Sequence, residues 1–385
     1  MSAVAKERTL AFDPLLVASL VALGVLGTVM VGSASITIAD RLTGEPFYYL
    51  TRHLGALAIG GCGLAVALLT PSELWYRLNW LLLAGGLGLL VVVLIPSLGH
   101  TVNGSTRWLL LGPVTVQASE PARLCLLLYF AGYAVRQSQE LAASFRGIAK
   151  PLLVVGCAAA LLLLEPDFGA SVVLTATSLA LLFVGGARLR DFALATTSGG
   201  AVLGALAFSS AYRVERLTNF LDPWADPYAS GFQLTQSLIA IGRGEWLGVG
   251  LGESVQKLFY LPEAHTDFVF AVLAEELGFA GASVVIALFA VIVYRAVALG
   301  LEALRSGLPF QGLVATGIGL MIGFEALINI GVNTGLLPTK GLPLPLVSYG
   351  RSSTVVTMVA LGLLLRIHHE LYGGSDRLVQ RGHVR

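Results

Sequence analysis

Long apolar runs separated by short polar segments dominate the pattern of this chain. With about twenty apolar residues for each bilayer crossing, the pattern predicts ten membrane spans. They lie near residues 14–33, 54–70, 78–96, 120–135, 150–165, 168–187, 192–209, 278–299, 311–332 and 352–369. The predicted fold class is therefore all-α: an integral membrane domain of ten spans over 14–369, preceded by a segment 1–13 and followed by a polar tail 370–385.

Composition and charge support a polytopic membrane protein. Of the 385 residues, 56% are hydrophobic and 12% are charged, whereas soluble domains carry about 25% charged residues. An even number of spans puts both termini on one side, and basic residues are more frequent in the segments on that side, which predicts cytoplasmic termini. The net charge of +1 gives no indication of a nucleic acid partner.

The extracytoplasmic side then receives three unusual segments, 97–119, 210–265 and 333–351. The large loop 210–265 has a helical pattern of its own in Gln233–Ile241 and is expected to lie along the membrane surface. Prolines and glycines throughout 333–351 exclude a continuous helix and predict a rigid, folded-back loop.

Residues 261–282 contain the leading candidate for chemistry. A polar loop with Glu263, His265 and Asp267 runs directly into an apolar helix. Burial of a carboxyl group favours its neutral form, which suits an acceptor that gains and loses a proton near neutrality. Asp267 is therefore the candidate base. The alternation of the three residues would also point their side chains the same way in an extended loop, which leaves a metal site open.

Other charged residues suit an anionic lipid or a structural role. Arginine and lysine at a membrane surface could hold a pyrophosphate, or they could pair with neighbouring acids. Glu120 and Arg123 share a helix face and could orient the helix end or contact a substrate. Glu325, Asn329 and Asn333 form a polar stripe that could line a transport route or join helices by hydrogen bonds.

Three enzyme and pump classes are disfavoured by their missing motifs. The chain has no His-Glu-x-x-His, no phosphate-binding glycine-rich loop ending in Lys-Ser/Thr, and no Gly-x-Ser-x-Gly. Zinc hydrolases, nucleotide-driven pumps and serine hydrolases lose support accordingly.

Several segments at matching intervals resemble the SEDS family (shape, elongation, division and sporulation), and its cell-division branch more than its elongation branch. The matching segments run from the third span to the tenth. They are Asn103–Gly112, Glu165–Gly169, Phe220–Pro227, Gly231–Ser237, Tyr260–Phe268, Glu275–Gly278, Asn333–Pro345 and Ser348–Gly350.

The resemblance implies a peptidoglycan glycosyltransferase that polymerises lipid II at the outer face of the bacterial cytoplasmic (inner) membrane, during septal synthesis. It implies that Asp267 is the general base and that lipid pyrophosphate is the leaving group. Further candidates are His265, Glu263 and Arg351. The substrate-binding positions that the resemblance implies are Arg107, Trp108, Glu120, Arg123, Lys340 and Ser348.

The implied partners are a class B penicillin-binding protein, an FtsI-like transpeptidase, and other divisome proteins. No cofactor is established, although a divalent cation such as Mg²⁺ or Mn²⁺ could neutralise the leaving group. Two departures from the family pattern are Arg123, where the family has lysine, and Arg351, where it has glycine. The alternatives are a lipid II flippase that uses the stripe of Glu325, Asn329 and Asn333, and a non-catalytic scaffold that activates the penicillin-binding protein.

Overall fold

Helices account for most of the structure, a computed structural model that describes residues 12–102, 104–112, 114–208, 214, 220–228, 231–338 and 341–373. In chain order the helices are α1 Pro14–Thr43, α2 Tyr48–Leu69, α3 Ser72–Arg77, α4 Asn79–Val93, α5 Ser119–Arg136, α6 Ser138–Ala143, α7 Phe145–Leu164, α8 Phe168–Val184, α9 Leu189–Phe208, α10 Phe232–Gly244, α11 Val269–Arg305, α12 Pro309–Asn333 and α13 Arg351–Tyr372.

Each of the ten predicted spans falls on one of these helices, and the protein is a polytopic, all-α membrane protein. Within the described ranges, six helices are long and apolar enough to cross a bilayer: α1, α2, α7, α11, α12 and α13. Helices α4 and α8 are apolar but shorter. Helix α5 carries Glu120, Arg123 and Arg136, and it is buried along most of its length, so its charges lie inside the bundle instead of facing lipid.

The segment 97–119 forms a small antiparallel sheet that the apolar pattern did not predict. Strands β1 Gly99–Val102, β2 Ser105–Leu111 and β3 Val114–Gln117 pair in the order β1-β2-β3. Gly104 and Gly112 lie at the two turns with φ of 77° and 63°, a backbone conformation that glycine adopts without steric cost. The sheet caps the end of the bundle between α4 and α5.

Helix α11 contains a break that a neighbouring segment fills. Gly278 has φ 67° and ψ −168°, so the helix axis is interrupted there. The carbonyls of Glu275 and Glu276 accept hydrogen bonds from residues 249 and 250, and the amides of residues 279 and 280 donate to residues 245 and 246. These four backbone groups beside the break thus find partners in the segment 245–250, which lowers the cost of interrupting a helix in a membrane protein.

The predicted loops 210–265 and 333–351 are both well structured where they are described. The helical pattern at Gln233–Ile241 is confirmed as α10. Two basic residues of the same loop, Arg213 and Arg216, lie outside the described residues. The segment between α12 and α13 folds back into the bundle and buries Leu342, Leu344, Leu346 and Val347. Together with the sheet and residues 245–268, this segment forms one end of the bundle, called the Asp267 end below.

Candidate active site

Asp267 lies two residues before α11, in a turn at the end of the bundle. Its side chain is half-buried. Its main-chain carbonyl accepts hydrogen bonds from the side-chain amides of Asn329 (2.9 Å) and Asn333 (3.0 Å) on α12. Gly341 passes directly over its carboxylate, because a methyl group on Gly341 would lie 2.6 Å from Oδ2 of Asp267. The main chain of Asp267 is thus fixed by two asparagines, and its carboxylate lies close to the backbone of Gly341.

Asn329 and Asn333 join three segments at this point. Asn329 also donates to the carbonyl of Leu342 (2.6 Å), and Oδ1 of Asn333 accepts from the amide of Ala271 (3.1 Å). The main-chain carbonyl of Asn333 accepts from the hydroxyl of Ser237 on α10 (2.8 Å). The polar stripe was interpreted either as a transport route or as a means of joining helices. These contacts match the joining of helices, since the side-chain amides of Asn329 and Asn333 are both hydrogen-bonded to protein groups.

The acidic pair Glu275 and Glu276 anchors the segment that leads to Asp267. The carboxylate of Glu275 accepts from the hydroxyl of Ser254 (2.5 Å) and from Arg243 (3.3 Å). Glu276 forms a buried ion pair with Lys257, with 2.7 Å between Nζ and Oε1. These bonds attach residues 243–257 to the first part of α11, and thereby fix where the following turn can lie.

His265 is buried among aromatic rings, and Glu263 is exposed. The ring of His265 lies 4.6 Å from that of Tyr49 and 5.8 Å from that of Tyr349, and its carbonyl accepts from the amide of Tyr349 (2.9 Å). Burial lowers the pKa of His265, while the negative charge of Glu263 acts in the opposite direction. At neutral pH the imidazole is therefore neutral.

The alternating residues Glu263, His265 and Asp267 do not form the metal site that an extended loop would allow. Glu263 has φ 54°, and the amide of Phe268 donates to its carbonyl, so the segment turns. Across the described residues, no group of three His, Cys, Asp or Glu side chains lies close enough to hold a metal ion. The described residues thus do not supply a set of protein ligands for a divalent cation.

Glu120 and Arg123 lie inside the bundle, in a triad with Glu325. Arg123 contacts Oε2 of Glu120 at 2.6 Å and Oε1 of Glu325 at 2.8 Å. The three residues are each 3% exposed. This arrangement matches the structural alternative for Glu120 and Arg123, in which an ion pair orients the start of α5, because a lipid substrate has no open surface of either residue to contact.

Arg107 on β2 holds the connection between α7 and α8. Its guanidinium donates to the carbonyls of Glu165 (3.3 Å) and Pro166, and Nε lies 3.9 Å from Oδ2 of Asp167. Burial, reinforced by the negative charge of Asp167, raises the pKa of Glu165 to about 8, although Arg107 opposes the shift. Trp108, the neighbouring substrate-binding candidate, is half-buried and pairs with His100 and Gln117 in the sheet.

The remaining candidates lie around the segment before α13. Ser348 is buried, and its hydroxyl accepts from the amide of Leu344 (2.8 Å), which closes a turn. Arg351 is half-buried at the start of α13 and donates to the hydroxyl of Thr115 on β3. Lys340 lies outside the described residues.

Three residues at this end were not identified as candidate site residues from the sequence: Tyr49, Arg52 and Tyr349. Tyr49 and Tyr349 pack against each other and against His265. The start of α2 has one pattern that could have indicated Tyr49 and Arg52: two adjacent tyrosines, Tyr48 and Tyr49, followed by a cation. Tyr349 lies within a quoted motif, but nothing local indicates that it meets a residue 300 positions earlier.

Comparison with known proteins gives a consistent result. A family model described as cell cycle protein, covering FtsW, RodA and SpoVE, matches residues 13–373. A probable peptidoglycan glycosyltransferase FtsW from Nitrosococcus halophilus is 56% identical over 93% of this chain and 92% of its own. The FtsW of Hahella chejuensis, named in the same way, is 50% identical over 98% and 95%.

Two solved structures are also similar. One chain belongs to a peptidoglycan synthase complex that coordinates polymerization and crosslinking, with a TM-score of 0.76 and 30% identity over 94% of this chain and 99% of that one. The rod shape determining protein RodA of Thermus thermophilus gives a TM-score of 0.69 and 29% identity over 94% and 98%.

Proposed function

We propose that this chain, which belongs to the FtsW, RodA and SpoVE family of cell cycle proteins and is a peptidoglycan glycosyltransferase, polymerises lipid II with Asp267 as its general base. The observation that carries the proposal is the position of Asp267. A half-buried carboxylate lies at the end of a membrane bundle, two buried asparagines bind the main-chain carbonyl of the same residue, and the backbone of Gly341 approaches the carboxylate closely. A rigidly placed carboxylate of this kind suits proton abstraction.

In the proposed reaction, Asp267 accepts the proton of the acceptor sugar's 4-hydroxyl. The acceptor oxygen forms a bond to the anomeric carbon of the donor, and the bond from that carbon to the pyrophosphate oxygen breaks. The lipid pyrophosphate leaves with the electron pair, so the configuration at the anomeric carbon inverts. General base catalysis of this type contributes about 10²- to 10⁴-fold to the rate.

The Asp267 end is proposed to face outward from the bacterial cytoplasmic membrane, with both termini in the cytoplasm and the protein at the division septum. The excess of basic residues on the other side supports this orientation. A class B penicillin-binding protein is the proposed partner, together with other divisome proteins, because a similar chain comes from a complex that couples polymerization to crosslinking. Such a partner would supply the transpeptidase.

The flippase alternative relied on a continuous polar stripe on α12. Glu325 of this stripe forms an ion pair with Arg123. Asn329 and Asn333 donate hydrogen bonds to the main-chain carbonyl of Asp267. These contacts favour a fixed site over a transport route.

The test is polymerisation of purified lipid II by the purified protein with its penicillin-binding partner, whose transpeptidase is blocked. Wild type should make glycan strands, and Asp267→Asn should lower kcat by about 10²- to 10⁴-fold while the complex stays intact. Strands made by Asp267→Asn at the wild-type rate would refute the base assignment. If neither protein makes strands although wild type moves labelled lipid II across vesicles, the flippase alternative replaces the proposal.

A further inference from the structure

An aromatic cluster lies beside the turn that carries Asp267 and has no role in the proposed chemistry so far. The rings of Tyr49 and Tyr349 are 5.0 Å apart and nearly perpendicular, and both contact the ring of His265. His265 is buried, whereas Tyr49 and Tyr349 are only half-buried. The cluster thus has a closed side, formed by His265, and an open side formed by the two tyrosines.

Two arginines border the open side. Arg52 is exposed, and its guanidinium carbon lies 4.2 Å from the centre of the Tyr48 ring, which in turn packs edge-on against Tyr49 at 5.2 Å. Arg351 follows Tyr349 closely in the chain. Burial raises the pKa of Tyr349, and the positive charges of Arg351 and Arg52 both oppose that shift, so both cations act on this ring.

Two other cations at this end form ion pairs with carboxylates. Arg243 pairs with Glu275, and Lys257 pairs with Glu276. By contrast, Arg52 stacks on a tyrosine and Arg351 donates to the hydroxyl of Thr115. Their charges are therefore not neutralised by an ion pair among the described residues, and a phosphate could use them.

We propose that Tyr49, Tyr349 and Arg52, with Arg351 beside them, form the subsite for the sugar and pyrophosphate of the donor. Aromatic faces stack on the apolar C–H faces of sugar rings, and arginines bind phosphate oxygens. The donor is favoured over the acceptor because its pyrophosphate is attached to the reacting anomeric carbon. That pyrophosphate must lie near Asp267. The aromatic cluster is also near Asp267, because His265, which contacts both tyrosines, is separated from Asp267 in the chain by a single residue.

This subsite rests on the proposed function, so its test measures binding without turnover. Wild type and variants are prepared in the Asp267→Asn background and reconstituted in lipid nanodiscs. The dissociation constant Kd is measured for lipid II, which carries the sugar, and for undecaprenyl pyrophosphate, which lacks it. A separate polymerisation assay on protein with intact Asp267 reports on the proposed function itself.

Tyr49→Leu and Tyr349→Leu should each raise Kd for lipid II by about two- to tenfold and leave Kd for the sugar-free lipid within about twofold. Arg52→Gln should raise both constants, because it removes a phosphate contact. Tyr349→Phe keeps the ring and is the conservative control, and Arg52→Gln, which changes an exposed residue, keeps the test valid if a leucine variant fails to fold.

A matched control comes from a similar cluster near the opposite end of the bundle, where Arg136 lies 5.8 Å from the centre of the Tyr76 ring. Tyr76→Leu should leave both dissociation constants unchanged. Equal weakening of both lipids by the tyrosine variants, or no weakening by Arg52→Gln, would overturn the subsite. Lipid II binding by the parent with no polymerisation by the wild type would overturn the proposed function alone, and no binding by the parent would overturn both.

Discussion

Replacing Asn333 by leucine tests whether α12 positions Asp267, the proposed base, or only holds helices together. The change keeps the approximate volume of the side chain and removes its donors to the carbonyls of Asp267 (3.0 Å) and Asn329 (2.9 Å), and its acceptor for Ala271 (3.1 Å). Each hydrogen bond contributes about 0.5–1.5 kcal/mol net. For these three bonds we expect the free energy of unfolding to fall by about 1.5–4.5 kcal/mol.

The expected effect on catalysis is larger than this loss of stability alone would produce. With one of its two amide donors gone, the carbonyl of Asp267 is free to shift, and a displacement of about 1 Å can lower a rate by roughly 100-fold. Asn333→Leu should therefore lower kcat by about 10- to 100-fold and change KM by less than about twofold. Initial rates of lipid II polymerisation over a range of substrate concentrations give both constants.

Asn79 provides a matched control at the opposite end of the bundle. It too is a fully buried asparagine that donates to the carbonyl of another helix, here Leu128 at 2.7 Å, and it accepts from Arg136 at 2.8 Å. Asn79→Leu should lower the thermal unfolding temperature by a similar amount and leave kcat unchanged. The positioning argument is wrong if both variants lower kcat equally, or if Asn333→Leu retains the wild-type kcat.

Three further predictions follow from close contacts and from a displaced pKa. Gly341→Ala places a methyl group 2.6 Å from Oδ2 of Asp267, so it should lower the polymerisation rate severalfold while thermal unfolding is unchanged. Gly278→Ala would place an alanine at φ 67° with its methyl group 2.3 Å from a backbone nitrogen, so it should prevent stable folding. Gly24 has open space around it, so Gly24→Ala should fold normally. Size-exclusion profiles of the two purified variants would show the difference. The pKa of Glu165 is raised from 4.5 to about 8. Between these two pH values the unfolded chain binds fewer protons than the folded protein does. The free energy of unfolding should therefore fall as pH rises, by at most about 1.4 kcal/mol per pH unit. Glu165→Gln should flatten this slope in thermal unfolding, and an unchanged slope would contradict it.

The apolar pattern located the spans because a bilayer imposes one requirement on every segment that crosses it. All ten predicted spans coincide with helices. The eighth span was predicted near 278–299, within an apolar helix that runs on directly from the polar loop of Asp267. In the structure α11 already begins at Val269, and two adjacent glutamates near its start are buried against Ser254 and Lys257. The pattern alone gave no indication of partners about twenty residues upstream.

The motif at Asp267 could be recognised from the chain, but the surroundings of that residue could not. Asn333 and Asp267 are 66 positions apart, and Tyr49 and Tyr349 are 300 apart. Their proximity depends on how α2, α12 and the segment before α13 pack, which no local period encodes. The sheet of 99–117 was missed for a related reason: its strands of four, seven and four residues are too short for a clear alternation.

Charge balance decides which cations can stabilise the pyrophosphate that leaves in the proposed reaction. Arg123, a substrate-binding candidate from the sequence, lies between the carboxylates of Glu120 and Glu325, so the triad as a whole carries no net positive charge if both acids are ionised. A pyrophosphate brought to Arg123 would have to displace one of these acids and leave it buried without a partner, at a cost of about 3–5 kcal/mol. Arg52, exposed and stacked on Tyr48, can bind phosphate without breaking an existing ion pair. We therefore propose that the leaving group is stabilised by the exposed Arg52, and not by the buried Arg123 that the family resemblance implies.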